Sequence, residues 1–154
     1  MTRHGSLAGL WMRVAFVAAL SGCSPAQATP AQASKPKRDV TVSLLATNDV
    51  HGRISQLPLF GGYVKNVRAA RAADGGGLVL LDAGDIFQGT LASNLTEGAS
   101  MMRGYRALGY TAVAIGNHEF DFGPVGPECT PTSPEDDPLG ALRARIAEAA
   151  FPVL

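Results

Sequence analysis

Three apolar runs, each followed at once by a polar cluster, constrain this chain more than any other feature of its sequence. The apolar runs are residues 40–47, 78–84 and 111–116. Stretches with helical spacing lie between and after them, at residues 63–74, 96–108 and 138–150, and residues 151–154 begin a fourth strand. Thr96 and Asp137 are the predicted N-caps of the second and third helices. Strands that alternate with helices predict an α/β fold with mainly parallel strands.

The polar clusters are NDVHG after the first strand, GDIFQG after the second and GNHEFD after the third. The carboxyl ends of parallel strands share one edge of a sheet, and ligands of α/β proteins bind there. We therefore expect the three clusters to meet in space.

The first cluster places Asp49 and His51 two residues apart. In an extended segment both side chains leave the same face. A carboxylate with an imidazole suits zinc, manganese or iron, although an Asp–His hydrogen bond explains the pair equally well.

The other two clusters add further candidates. Asp85 lies between glycines that allow close backbone approach, so we expect it to be a better ligand than Asp82, for which we expect loop hydrogen bonding. Asn117 offers a carbonyl oxygen and His118 an imidazole that Asp121 can orient. For Glu119 a turn-stabilising or surface role is expected.

Taken in order, the clusters resemble the calcineurin-like metallophosphoesterases, whose pattern runs D-x-H, G-D, G-N-H-[ED]. Residues 42–54 and 110–121 resemble two characteristic stretches of the secreted 5'-nucleotidases. The resemblance covers residues 40–154 and implies the N-terminal half of an α/β/β/α sandwich. It implies a phosphoric monoester hydrolase that acts on a small phosphate ester such as a nucleotide, with two divalent ions such as zinc or manganese.

The resemblance also assigns roles to single residues. Asp49 and His51 would bind the first metal ion, Asp85 would bridge both ions, and Asn117 would bind the second. His118 would face the substrate phosphate and protonate the leaving oxygen, with Asp121 as its orienting partner.

The chain departs from the family in its histidines. The family completes its site with three later histidines, but this chain has three in all: His4, His51 and His118. We therefore expect an incomplete, truncated N-terminal part that lacks the family's C-terminal portion and binds at most one ion. The alternatives are a membrane-tethered lipoprotein that binds metal or phosphate without turnover, and a nonfunctional remnant.

The N-terminal residues read as an export signal rather than as part of the fold. Two arginines precede a short apolar run at residues 14–20, too short to span a membrane. The following LSGC resembles the lipobox of bacterial lipoproteins, which implies cleavage before Cys23 and its lipidation; a plain secretory signal is the alternative. We expect a lipoprotein signal peptide at 1–22, a Pro/Ala/Ser-rich tether at 23–38 and the partial domain at 39–154.

These assignments predict a protein of the bacterial cell envelope, exported and lipid-anchored on the periplasmic side or at the cell surface. The 13 basic and 13 acidic side chains balance, so nothing in the charge favours a nucleic acid partner. Two cysteines are too few for a disulfide framework, and Cys129 is expected to be a bystander.

Overall fold

The structure, a computed structural model, describes residues 39–154. The predicted signal peptide, the lipidation of Cys23 and the tether lie outside the described residues. The strands are β1 (Val42–Thr47), β2 (Gly77–Asp82) and β3 (Ala112–Val113). The α-helices are α1 (Leu57–Asp74), α2 (Leu91–Asn94), α3 (Ala99–Leu108) and α4 (Gly140–Glu148). Two short 3-10 helices cover Ile54–Gln56 and Asn117–Phe120.

The strands form a parallel sheet in the order β1-β2-β3, as the alternation of strands and helices predicts. Thr47 at the end of β1 pairs with Asp82 at the end of β2, and Asp82 pairs with Val113 of β3. The predicted fourth strand contributes a parallel bridge between Val153 and Val113. This register brings the polar segments that follow all three strands to one edge.

All three predicted helices begin at a residue other than the one that the sequence predicts. Helix α1 starts at Leu57 rather than at 63, and its first turn accepts Pro58, whose missing N–H would have no helical partner there. The predicted helix at 96–108 with Thr96 as N-cap is wrong at its start. Glu97 and Gly98 have φ of +48° and +81°, so α3 begins only at Ala99, and the separate turn α2 precedes it.

The last helix is also shorter than predicted. Asp137 was expected to cap a helix at 138–150, but α4 begins at Gly140 with Leu139 as its N-cap residue. Asp137 instead accepts the N–H of Leu139 at its carboxylate and the N–H of Gly140 at its carbonyl. The polar cap exists, but it closes the turn before the helix.

The core lies between one face of the sheet and helices α1 and α3. Its members are buried apolar side chains from these elements, from α4 and from connecting loops, among them Leu57, Val64, Leu80, Met101, Met102 and Tyr105. The opposite face of β1 is open, since Val42 and Leu44 are 59% and 64% exposed. Within residues 39–154, none of the helices has the length and apolar character needed to cross a membrane.

Candidate metal centre at the strand ends

The loops after β1 and β2 are joined through their backbones. Asp49 donates its N–H to the carbonyl of Gly84 at 3.0 Å, and His51 donates to the carbonyl of Asp85 at 2.9 Å. Gly52 continues the series with the carbonyl of Ile86 at 2.8 Å. The two loops therefore run side by side, which fixes the first two polar clusters against each other.

Asp49 and His51 do not lie in an extended segment, which corrects the prediction from their spacing. Their φ angles are +52° and +48°, in the left-handed region that non-glycine residues rarely adopt. The pairing with residues 84–86 holds this turn. It still brings the two side chains together, with Asp49 Oδ1 3.6 Å from His51 Nε2.

One ring nitrogen of His51 is held by the backbone. Its Nδ1 lies 3.2 Å from the carbonyl oxygen of Gln88. Because a carbonyl can only accept, Nδ1 carries the proton and Nε2 is left as the nitrogen that can bind a metal. Gly89 allows this approach, since a Cβ there would lie 2.3 Å from the backbone oxygen of His51. No side-chain pattern in the sequence reveals this contact.

His118 is held by a carboxylate instead. It belongs to the 3-10 turn Asn117–Phe120, and its Nδ1 lies 2.6 Å from Asp121 Oδ2. This hydrogen bond is the main cause that raises the pKa of His118 above its usual value, with the charges of Asp121 and Asp85 adding to it. The ring is thus oriented with Nε2 free, as the sequence suggests for an Asp three residues after a His.

Asp85 connects the second cluster to the third. Its backbone has φ of +60°, and its Oδ1 accepts the N–H of His118 at 3.0 Å. The loops approach so closely that a Cβ on Gly116 would lie 2.2 Å from Asp85 Oδ1. Only glycine at position 116 leaves the carboxylate in this place.

One potential ligand atom each of His51, Asp85 and His118 lies within 4.8 Å of the other two. The rings of His51 and His118 meet edge to face, with centroids 5.0 Å apart. Asn117 is exposed at the first position of the same turn, next to His118, and Asp49 stands beside His51. Imidazole nitrogens and carboxylate oxygens in this grouping suit a divalent metal ion.

Two carboxylates near the site point inwards. Asp82 is buried and accepts hydrogen bonds from Thr47, from the Gly84 N–H at 2.8 Å and from the Tyr105 hydroxyl at 2.9 Å. It performs the loop hydrogen bonding expected of it, and burial raises its pKa. Glu119 is also buried and accepts the backbone N–H groups of Ile86 and Gly116, so the surface alternative for this residue is wrong.

The tyrosines below the site were not anticipated as polar partners. Tyr105 and Tyr110 stack with ring centroids 4.0 Å apart, and the Tyr110 hydroxyl lies 2.7 Å from Thr47 Oγ1. Burial raises the pKa of both phenols. Their positions in α3 and before β3 look apolar in the sequence, because nothing there shows that Asp82 faces them.

A parallel α/β sheet with carboxylates and imidazoles gathered at its carboxyl edge is typical of metal-dependent hydrolases. No family model matches the chain. It is, however, 36% identical over 118 residues to a 5'-nucleotidase of Vibrio cholerae and 35% identical over 133 residues to the protein UshA of Salmonella pullorum. These matches cover 71% and 81% of this chain and 21% of each relative.

A solved structure agrees with these relatives. The crystal structure of a 5'-nucleotidase precursor from Thermus thermophilus superimposes with a TM-score of 0.54 at 30% identity, over 73% of this chain and 21% of that one. The chain therefore belongs to the 5'-nucleotidase family of the metallophosphoesterases and corresponds to its N-terminal part. It spans about a fifth of the length of these relatives.

Proposed function

We propose that the strand-end residues form the metal-binding part of a phosphoester hydrolase site that acts on nucleotides. The observation that carries this proposal is the convergence of His51, Asp85 and His118 within 4.8 Å at the carboxyl edge of the sheet. Support for the substrate class comes from the relatives, which bear the name 5'-nucleotidase.

Each side chain has a proposed role in this site. Asp49 and His51 would hold one divalent ion, Asp85 would be shared between two, and Asn117 would hold the second. Bound zinc, manganese or a similar ion would supply Lewis acidity toward phosphate oxygens. His118, oriented by Asp121 through Nδ1, would direct Nε2 at the phosphate and give its proton to the leaving oxygen.

We further propose that these residues hold at most one ion. Asp49, His51 and Asp85 provide three protein ligands around one position, whereas Asp85 and Asn117 provide two around the other. Neighbouring carboxylates repel one another unless neutral ligands and bound metal offset their charge. The second position, with only two protein ligands, should therefore fill poorly. Phosphate release by the 154-residue chain alone should accordingly stay near background.

Cys23 is proposed to be a lipidated mature N-terminus after a signal peptide at 1–22, with 23–38 as a tether to the membrane. The support is the LSGC sequence after the apolar run. Labelling with a fatty-acid probe in a bacterial host tests it. We expect wild type to be labelled and the Cys23→Ala variant to remain unlabelled precursor, and equal labelling of both would refute lipidation at this residue.

The hydrolase proposal is tested in a chimera. Residues 39–154 replace the matching part of the Vibrio cholerae 5'-nucleotidase, which supplies the remaining four fifths of the molecule. We expect chelator-sensitive phosphate release from a nucleoside monophosphate with Mn²⁺. His118→Ala should lower the rate by about 10²–10⁴-fold, the usual contribution of a positioned acid. Cys129→Ser serves as the control and should leave the rate unchanged, since this thiol is exposed and free.

The outcomes separate the alternatives. A chimera that folds by circular dichroism and binds Mn²⁺ but releases no phosphate would support metal binding without turnover. A folded chimera that binds no Mn²⁺ would refute the metal site itself. Robust hydrolysis by the 154-residue chain alone would show that other residues complete the site.

A further inference from the structure

Glu119 is a buried carboxylate that the proposed chemistry does not use. Only 2% of its surface is exposed, although it sits in the same exposed turn as Asn117 and His118. Its Oε1 accepts the N–H groups of Ile86 at 2.6 Å and Phe87 at 3.1 Å. Its Oε2 accepts those of Asp85 at 2.9 Å and Gly116 at 2.7 Å.

Three of these four donors belong to one loop, residues 85–87, and the fourth begins the turn that contains Glu119. The carboxylate therefore satisfies consecutive backbone donors that would otherwise be buried without a partner. It also ties the loop after β2 to the turn after β3. These are the segments that carry Asp85 and His118.

The loop needs such a support at Asp85. Its φ of +60° is unfavourable for a residue with a side chain and persists only where the surroundings hold it. In this conformation the Asp85 carboxylate accepts the N–H of His118 at 3.0 Å. The Asp85 conformation and the place of the His118 turn thus depend on one another, and Glu119 bonds to both segments.

We propose that Glu119 is the positioning residue of the metal centre, which sets the Asp85 carboxylate through the backbone of residues 85–87. It does not touch the metal. That Asp85 binds a metal rests on the proposed function above. That Glu119 holds the Asp85 loop is independent of it.

The test uses Glu119→Gln in the full chain, because the substitution keeps the shape and changes the hydrogen bonding. A glutamine has one carbonyl oxygen and one amide group, so in either orientation two of the four N–H groups face another donor. Mn²⁺ affinity, measured by electron paramagnetic resonance, should fall by about 10–100-fold, the range for residues that orient metal ligands.

Two further variants separate positioning from charge and from stability. Glu119→Asp keeps the charge but is one methylene too short for both amide pairs, so it should lose affinity as well if position matters. Met101→Ala removes a fully buried side chain from α3, a helix that carries none of the site residues. It should lower the melting temperature and leave Mn²⁺ affinity unchanged.

Hydrogen exchange provides a readout that needs no metal. The amides of Asp85, Ile86, Phe87 and Gly116 should be protected like those of the core strand β2, and in Glu119→Gln they should exchange faster. Unchanged Mn²⁺ affinity in Glu119→Gln, or exchange of these amides as fast as in exposed loops, would overturn the inference. If wild type binds no Mn²⁺, the proposed metal site fails, and the exchange result alone decides the role of Glu119.

Discussion

The two histidines at the strand ends are oriented by different partners, and this difference matters for their chemistry. A backbone carbonyl holds Nδ1 of His51, whereas the Asp121 carboxylate holds Nδ1 of His118. A neutral carbonyl fixes a tautomer suited to a ligand, and a carboxylate stabilises a protonated ring suited to an acid. The proposed roles of ligand for His51 and acid for His118 draw on this difference.

The pKa of His118 should fall in the Asp121→Asn variant, because the hydrogen bond to Asp121 is the main cause that raises it. A raised histidine pKa stabilises the fold below the unfolded pKa, about 6.5, and this stabilisation is lost as pH rises through the folded pKa. The variant should therefore lose more thermal stability in mildly acidic than in alkaline solution. NMR titration of the metal-free chain measures the pKa, with the remote Asp74→Asn as control; an unchanged His118 pKa would contradict the account.

Gly116→Ala should displace Asp85 and weaken Mn²⁺ binding by about 10–100-fold. The new Cβ would lie 2.2 Å from Asp85 Oδ1 and 2.5 Å from the backbone nitrogen of Asp85. The φ of Gly116 is −94°, which alanine also adopts, so the expected effect is steric rather than conformational. Gly62→Ala is the matched control, since a Cβ there meets nothing within 4 Å. Isothermal titration with Mn²⁺ compares the two, and equal affinities would show that Asp85 does not need this position.

Which residues gather at the site could be predicted from the sequence, but how they are held could not. A D-x-H spacing after an apolar run marks Asp49 and His51, yet their positive φ angles arise from pairing with residues 84–86, which are remote in sequence. For the same reason Glu119 reads as a turn residue. Three of its four backbone donors lie in a loop more than 30 positions away in the sequence.

At the level of elements, the positions of the three strands could be predicted because an apolar run that ends in a polar cluster leaves few alternatives, although β3 covers only Ala112–Val113 of the predicted 111–116. The short helix α2 (Leu91–Asn94) was missed, since four residues carry no periodicity. Thr96 accepts the Ser100 N–H at 3.1 Å, as an N-cap residue would, which explains the predicted start of α3. The positive φ angles of Glu97 and Gly98 nevertheless prevent the helix from beginning before Ala99. Local capping chemistry alone does not settle a boundary.

Helix α3 is attached to the sheet through a polar contact in the core. The Tyr105 hydroxyl donates to Asp82 at the end of β2, so Tyr105→Phe should lower the free energy of unfolding by about 1.5–3 kcal/mol, the range for a hydrogen bond to a charged group. The exposed Tyr63→Phe is the control and should change it by less than about 0.5 kcal/mol. Urea unfolding measures both, and equal effects would rule out the contact as a structural support.

For the molecule as a whole, the two faces of the sheet should respond differently to truncation. Leu80 is fully buried beneath the helices, and Leu80→Ala should cost about 2–5 kcal/mol. Leu44 lies on the open face of β1, so Leu44→Ala should cost under about 0.5 kcal/mol and reduce binding of an apolar dye. Thermal unfolding with a dye-binding assay compares them. A large stability loss for Leu44→Ala would mean that this face is covered.

The matches to 5'-nucleotidases cover 71–81% of this chain and about a fifth of each relative. The fold class and the family could be predicted because three ordered motifs fall at three successive strand ends. The substrate and the number of ions could not, since the side chains at the strand ends specify neither.

Anomalous diffraction from crystals of the chain soaked in Mn²⁺ tests the metal centre most directly. We expect one peak at the carboxyl edge of the sheet, in contact with Asp49, His51 Nε2 and the Asp85 carboxylate, at about 2.0–2.3 Å. The peak should vanish in Asp85→Ala crystals grown and soaked in the same way. A peak away from these three residues, or no peak there at saturating Mn²⁺, would contradict the claim that the strand ends form a metal centre.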